Sequence, residues 1–246
     1  MTVVILGATK GIGRAVARRL ASRGDRLCLL GRDVSDLEQS ARDLEIRAGR
    51  SAPPVAVVAC DLSQPDTFGP ALEAAAAAVG KVDTVIVTAA DFATQADLES
   101  DREHLRRLLT VNFSNTVLFC EDARTRLLAS GGTLCVVSSV AGDRGRKPVI
   151  LYGATKAGLS HYLEGLDHKF RARGLKVVCV KPGFVKTGMT AGLRPPPFAG
   201  EPDAVAGDIV RAIDRGAPVV YTPRIWGLVM LAIRALPRAV MRKIDF

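Results

Sequence analysis

No stretch of this sequence reaches the roughly 18 uninterrupted apolar residues that a membrane-spanning helix needs, so no such span is expected. It also lacks any dense run of lysine and arginine interleaved with aromatic residues, and the net charge of +9 therefore does not read as a nucleic-acid footprint. An anionic lipid or a phosphorylated ligand is compatible with that charge. Metal-ligand spacing is missing as well: Cys28, Cys60, Cys120, Cys135 and Cys179 stand far apart, and no bound metal is expected. Their odd number argues against a disulfide framework, and their apolar neighbourhoods predict buried, reduced thiols. No linker divides the chain. The first strand-like run starts directly after Met1, which leaves no room for a secretory leader and points to a cytoplasmic protein.

What is present is a rhythm. Hydrophobic residues make up 48% and charged residues 24%, enough to fill a sizeable core. Apolar, β-branched runs at Thr2–Leu6, Arg26–Leu30, Val55–Cys60, Val82–Thr88, Thr133–Ser138, Lys176–Lys181 and Val219–Tyr221 alternate with helical patterns near 11–24, 35–48, 64–79, 100–129, 152–173 and 202–215. Such alternation predicts βαβ units. The strands are apolar on both faces, as parallel strands covered on both sides must be. The expected fold is an α/β doubly wound, seven-stranded parallel sheet with helices on both faces. Residues 1–223 read as one dinucleotide-binding and catalytic domain, and 224–246 as an amphipathic extension of it.

Gly7, Gly11 and Gly13 lie between the first strand and the first helix. Glycines there let the backbone turn tightly and approach a pyrophosphate, while the helix N-terminus offers free N–H groups. Strand two ends in Gly31-Arg32, where an NAD site would place an acid. Arg32, with Lys10 in the glycine loop, suits a ribose 2′-phosphate, so NADP(H) is the expected cofactor; Asp33 comes one residue late to serve NAD. Asp61-Leu62 follows strand three and is placed to meet the adenine edge. The competing reading of Asp61 is a helix cap.

Tyr152 and Lys156 are four apart and share a helix face, and Ser139 closes the fifth strand. A carbonyl-to-alcohol hydride transfer needs a proton donor beside the carbonyl oxygen. A free phenol has a pKa of about 10, and a nearby ammonium is expected to lower it. This set fits general acid catalysis without a metal. With the glycine loop and the Pro-Gly after strand six, it resembles the short-chain dehydrogenase/reductase family over nearly the whole chain. The resemblance implies that Tyr152 is the acid/base, that Lys156 binds the nicotinamide ribose and lowers the tyrosine pKa, and that Ser139 orients substrate. It implies that Asn112, in "TVNFS", ties the lysine into a proton relay. The cofactor contacts it implies are Gly7, Lys10, Gly11, Ile12, Gly13, Arg32, Asp61, Leu62, Ala89, Ala90, Tyr152, Lys156, Pro182, Gly183, Val185 and Thr187. It also implies a homo-oligomer, dimer or tetramer, with the Tyr152 helix at a subunit interface. Two departures stand out: Thr88-Ala89-Ala90-Asp91 replaces the family's Asn-Ala-Gly, and Leu6 replaces a threonine.

Two further segments bear on the substrate. The loop "VAGDRGRKP" places Asp143, Arg144, Arg146 and Lys147 near the expected substrate mouth, either as a solvated loop or as a cationic rim for an anion. The tail "RIWGLVMLAIRALPRAVMRKIDF" carries Trp226 with Arg234, Arg238 and Arg242 at four-residue intervals, and Pro237 is expected to kink or split it. It reads either as an interfacial membrane anchor or as a helix packed on the sheet or on a subunit. Both segments are similar to those of the decaprenylphosphoryl-2-keto-pentose reductase subgroup. That likeness implies a lipid-linked keto-sugar substrate, a partner oxidase and a peripheral position on the inner face of a membrane. A reductase of a small ketone or 3-oxoacyl group is the alternative, and a non-catalytic NADP-binding sensor a further one.

Overall fold

In the computed structural model, which describes residues 1–49 and 53–244, seven strands form one parallel sheet in the order β3-β2-β1-β4-β5-β6-β7. The strands are β1 (Thr2–Leu6), β2 (Arg26–Gly31), β3 (Ala56–Ala59), β4 (Thr84–Val87), β5 (Thr133–Val137), β6 (Lys176–Pro182) and β7 (Val219–Thr222). The chain winds outward from β1 to β3, then crosses back to β4 beside β1. This reversal opens a crevice at the carboxyl ends of β1 and β4, where open α/β sheets bind ligands.

Alternate strand residues feed two cores, as a period of two requires. Val4, Leu6, Leu30, Val85, Val87, Leu134, Val136 and Val177 pack under α3 (Phe68–Val79), α6 (Thr116–Ser130) and α7 (Ile150–Phe170). Val3, Ile5, Leu27, Leu29, Ile86, Val178 and Val180 pack under α1 (Gly11–Ser22), α2 (Val34–Ala48) and α8 (Pro202–Arg215). All five cysteines are buried free thiols, as their surroundings predict.

The helix expected near 100–129 is not continuous. A short α4 (Gln95–Ser100) is closed by a Thr94/Asp97 capping box, and Asp101 caps α5 (Arg102–Leu109) by accepting the His104 N–H. The chain then widens into a π turn, Thr110–Asn115, before α6 begins. No proline or glycine marks this turn in the sequence. The buried Asn112 sits inside it and bonds the Asp91 backbone, a tertiary contact that local propensity does not encode.

The tail splits at Leu236-Pro237 into α9 (Ile225–Ala235) and α10 (Arg238–Met241), so Arg234, Arg238 and Arg242 do not share one helix face. Asp245 and Phe246, the end of the expected extension, lie outside the described residues. Helix α9 packs on β7, and Trp226, Met230 and Ile233 bury against Val140 and Tyr221. Trp226 is 8% exposed and donates its indole N–H to the Phe198 carbonyl, which removes it as a membrane-facing ring. Among the described residues no helix is long and apolar enough to cross a membrane.

Candidate active site

The cleft is built first by its glycines. Gly7 leaves β1 at φ +96°, and a Cβ there would stand 2.6 Å from the Ala89 nitrogen. A Cβ on Gly13 would overlap both the Gly7 carbonyl and the Thr88 hydroxyl. Bare backbone is therefore required at both positions. Thr88, in the place of the family's asparagine, donates its hydroxyl toward Gly7 O at 2.9 Å and Leu6 O at 3.2 Å. The departure thus still braces the loop through a side-chain hydroxyl. Helix α1 opens at Gly11 with no side-chain cap and no acid in its first turn, so its N–H groups face the crevice unneutralised. Thr187 faces Gly11 across the crevice, its methyl 3.2 Å from where a Gly11 Cβ would lie. Pro182 ends β6, and Gly183 lies directly under the Trp226 ring. Val185 is buried in the core at a bridge to Gly200. Ile12 and Ala89 pack against the two cores rather than project freely, and Ala90 is half-buried beside them.

The charged residues at this end sort themselves. Asp33 caps α2, accepting the Asp36 N–H at 3.0 Å, which occupies the carboxylate that follows the end of β2. Arg32 is exposed beside it. Lys10 is 80% exposed and rests 3.4 Å from Asp36. Asp61 accepts the Ser63 N–H at 2.8 Å, a turn-forming role close to the cap reading. The Leu62 carbonyl accepts from Asn115 at 2.6 Å, a buried bond that the sequence does not single out.

At the other end of the crevice β5 delivers two serines. Ser138, also unremarked in the sequence, is 2% exposed; its hydroxyl bonds the Lys156 carbonyl at 3.0 Å and Ser160 at 2.7 Å, pinning α7 to the sheet. The signal was the doubled serine at a strand end, whose alternation turns one side chain inward. Ser139 opens a single 3₁₀ turn, Val140–Gly142, that lies against α7. The approach is close: a Cβ on Gly142 would stand 2.6 Å from the Ala157 nitrogen, and one on Gly153 would stand 2.8 Å from the Ala141 carbonyl. This contact brings Ser139 to Tyr152 in the first turn of α7, near enough for the serine hydroxyl to favour the ionised phenol. Lys156, one turn on and 2% exposed, donates to the Val137 carbonyl at 3.1 Å and places its ammonium 5.6 Å from the centre of the tyrosine ring. Phe92 meets that ring edge-on at 5.1 Å and 83°.

The electrostatics differ from the sequence expectation. Burial pushes the Tyr152 phenol up to about 12, with the nearby Ser139 hydroxyl pulling the other way, whereas a lowered value was expected from the lysine. Burial also pushes Lys156 down to about 8. Desolvation dominates because both groups sit against the sheet and the ammonium faces the ring rather than donating to the phenol oxygen. The Asn112 amide accepts the Asp91 N–H and donates to the Asp91 carbonyl, each at 2.7 Å. Of the charged loop, Asp143 is buried rather than at a substrate mouth, and Arg144 donates to the Leu236 carbonyl at 2.8 Å.

A glycine cradle, an uncapped helix and a serine–tyrosine–lysine cluster at the switch point of a doubly wound sheet define a dinucleotide-binding oxidoreductase architecture. The comparison with known families agrees. The family described as short chain dehydrogenase matches residues 1–197, and the chain belongs to it. An oxidoreductase of Mycobacterium tuberculosis is 33% identical over 246 residues, covering 98% of this chain and 96% of its own. A short-chain dehydrogenase/reductase from Mycobacterium ulcerans shares the fold at a TM-score of 0.81 and 21% identity, covering 99% of this chain and 98% of that one. A variant of an actinorhodin polyketide ketoreductase, solved with NADPH, does so at 0.79 and 22%, covering 90% and 95%. Members of the family are nicotinamide-dependent oxidoreductases acting on small-molecule substrates.

Proposed function

We propose that this chain is an NADP(H)-dependent reductase that turns a carbonyl into an alcohol, with Tyr152 as the proton donor. The observation that carries the reading is the junction of Ser139, Tyr152 and Lys156 on the Gly142–α7 contact. The cofactor's place is favoured by the Gly7/Gly13 cradle, which any side chain would fill, and by the open start of α1. Gly7, Gly11, Ile12 and Gly13 would hold the pyrophosphate, Arg32 and Lys10 the 2′-phosphate, and Pro182, Gly183 and Thr187 the nicotinamide end. NADPH supplies a hydride when bound.

The chain's own residues do the rest. Ser139 holds the substrate oxygen beside the phenol. A phenol raised to about 12 stays protonated through neutral pH, as an acid must before it donates. As Tyr152 hands its proton to the oxygen, the phenolate left behind is offset by the Lys156 ammonium one turn away. Tyr152→Phe is expected to bind NADPH normally and lose turnover by at least about a hundredfold, read as NADPH fluorescence and oxidation. Undiminished turnover would reject the assigned acid. Arg32→Asp is expected to weaken NADPH more than NADH, and equal effects would reject the 2′-phosphate contact.

For the substrate we favour an amphiphilic ketone, with a lipid-linked keto-sugar and a partner oxidase as its most specific form. Support comes from the Ser139–Tyr152 loop, with Arg144, Arg146 and Lys147, and from Leu228 and Leu231 on α9, which are 67% and 65% exposed. Peripheral membrane contact through α9 and cytoplasmic residence belong to the same proposal, as does a homo-oligomer. Co-sedimentation with anionic vesicles, lost in Leu228→Ser/Leu231→Ser, tests it against the small-ketone reading.

A further inference from the structure

Behind the Ser139 turn, three polar side chains from three elements meet where proton donation has no use for them. Asp143, directly after the turn, accepts from the Lys181 ammonium at 2.7 Å on one oxygen and from the Tyr221 hydroxyl at 2.7 Å on the other. The Asp143 and Lys181 side chains are 3% and 14% exposed. The ammonium also lies 5.7 Å from the centre of the Tyr221 ring. Lys181 and Tyr221 are register partners across β6 and β7, so the sheet itself holds the two donors side by side. Burial alone would lower the Lys181 pKa, but the Asp143 bond and charge outweigh it and the value is raised, which keeps the ammonium charged.

A desolvated ion pair is no efficient source of stability, since an apolar pair of the same volume serves as well or better. Its position is the informative part. Asp143 follows a turn held within itself by the bonds Ala141 N–H to Ser139 Oγ, Gly142 N–H to the Ser139 carbonyl and Asp143 N–H to the Val140 carbonyl, each 3.1 Å. Lys181 immediately precedes Pro182-Gly183, the opposite wall of the crevice. The cluster therefore ties the serine turn to the segment expected at the nicotinamide end. Val140, on the underside of the same turn, is clamped by Trp226, Met230 and Ile233 of α9.

We propose that Asp143, Lys181 and Tyr221 are positioning residues that fix the height of Ser139 against Tyr152 and against the Pro182-Gly183 wall. This rests on the proposed roles of Ser139 and Tyr152. Tyr221→Phe keeps the ring and its packing and deletes one bond to Asp143. With NADPH and an aromatic 1,2-diketone as probe, kcat is expected to fall roughly tenfold while KM for NADPH stays unchanged. In a Ser139→Ala background the same substitution is expected to have no further effect, because its action runs through the serine. Amide hydrogen exchange at Ala141–Asp143 should quicken in Tyr221→Phe. A lowered melting temperature with unchanged kcat, or an additive double variant, overturns the positioning role. If Ser139→Ala alone leaves kcat unchanged, the serine assignment fails instead. If the probe is not turned over, unchanged exchange at those amides overturns the proposal.

Discussion

Tyr152 and Lys156 show how far a pair of residue types carries an argument. Their spacing placed them on one face of a helix; their surroundings set their acidity, and in the opposite sense to the expectation for the phenol. With Lys156 pushed down to about 8, its ammonium persists below that pH and is lost above it. The proposed reduction needs that ammonium to offset the phenolate. Its rate is therefore expected to hold through neutrality and fall above about pH 8 as Lys156 loses its proton. A pH–kcat profile checks this, and Lys156→Arg, which cannot deprotonate in this range, should abolish the fall in whatever activity it retains. Asn112 makes a second case at this scale. Removing both of its bonds to the Asp91 backbone in Asn112→Ala leaves buried groups unpaired and is expected to cost about 1–3 kcal/mol, read from urea midpoints.

Among the elements, the decisive contact is a turn against a helix. The Val140–Gly142 turn can reach α7 only because Gly142 has no side chain, its would-be Cβ falling 2.6 Å from the Lys156 carbonyl carbon and the Ala157 nitrogen. That backbone cannot move aside without moving Tyr152. Gly142→Ala is thus expected to destabilise the fold by about 1–3 kcal/mol. It is also expected to lower kcat more than it raises KM for NADPH, because the nucleotide cradle lies at the other end of the crevice. Gly145, with open space around it, is the control position, where Ala should be tolerated in both measurements. The tail acts at the same scale. Its apolar residues read equally well as an anchor or as packing, and the seat of Trp226 against Gly183 and Phe198 makes α9 part of the wall of the crevice.

At the scale of the whole molecule, the five buried thiols set an alkaline limit. Burial raises Cys28 to about 12 and Cys60 to about 11, and raises Cys120, Cys135 and Cys179 as well. In the unfolded chain these thiols ionise from about pH 8.5, while in the folded chain they stay neutral. Their contribution is fully present below that pH and is lost as pH rises toward the folded values. Each then lowers stability by up to about 1.4 kcal/mol per pH unit. Lys156, whose folded value is lowered to about 8, opposes this at alkaline pH, but it is one group against five. Urea midpoints under reducing conditions are expected to change little from about pH 7 to 8 and drop steeply by about pH 10; a flat profile would contradict the buried-thiol account.

The sequence by itself determined the seven parallel strands, their alternation with helices, the glycine turn and the Ser139–Tyr152–Lys156 set, because periodicity and motif spacing are local properties that a linear chain displays. Only the tertiary structure decided that Asn112 and Asn115 bond loops far away, that Ser138 pins α7, and that Trp226 faces inward. It alone joined Asp143, Lys181 and Tyr221, and set the direction of the tyrosine's acidity. Those outcomes depend on which distant groups share a space and how much water reaches them, and neither burial nor long-range pairing is written in the spacing of neighbours along the chain.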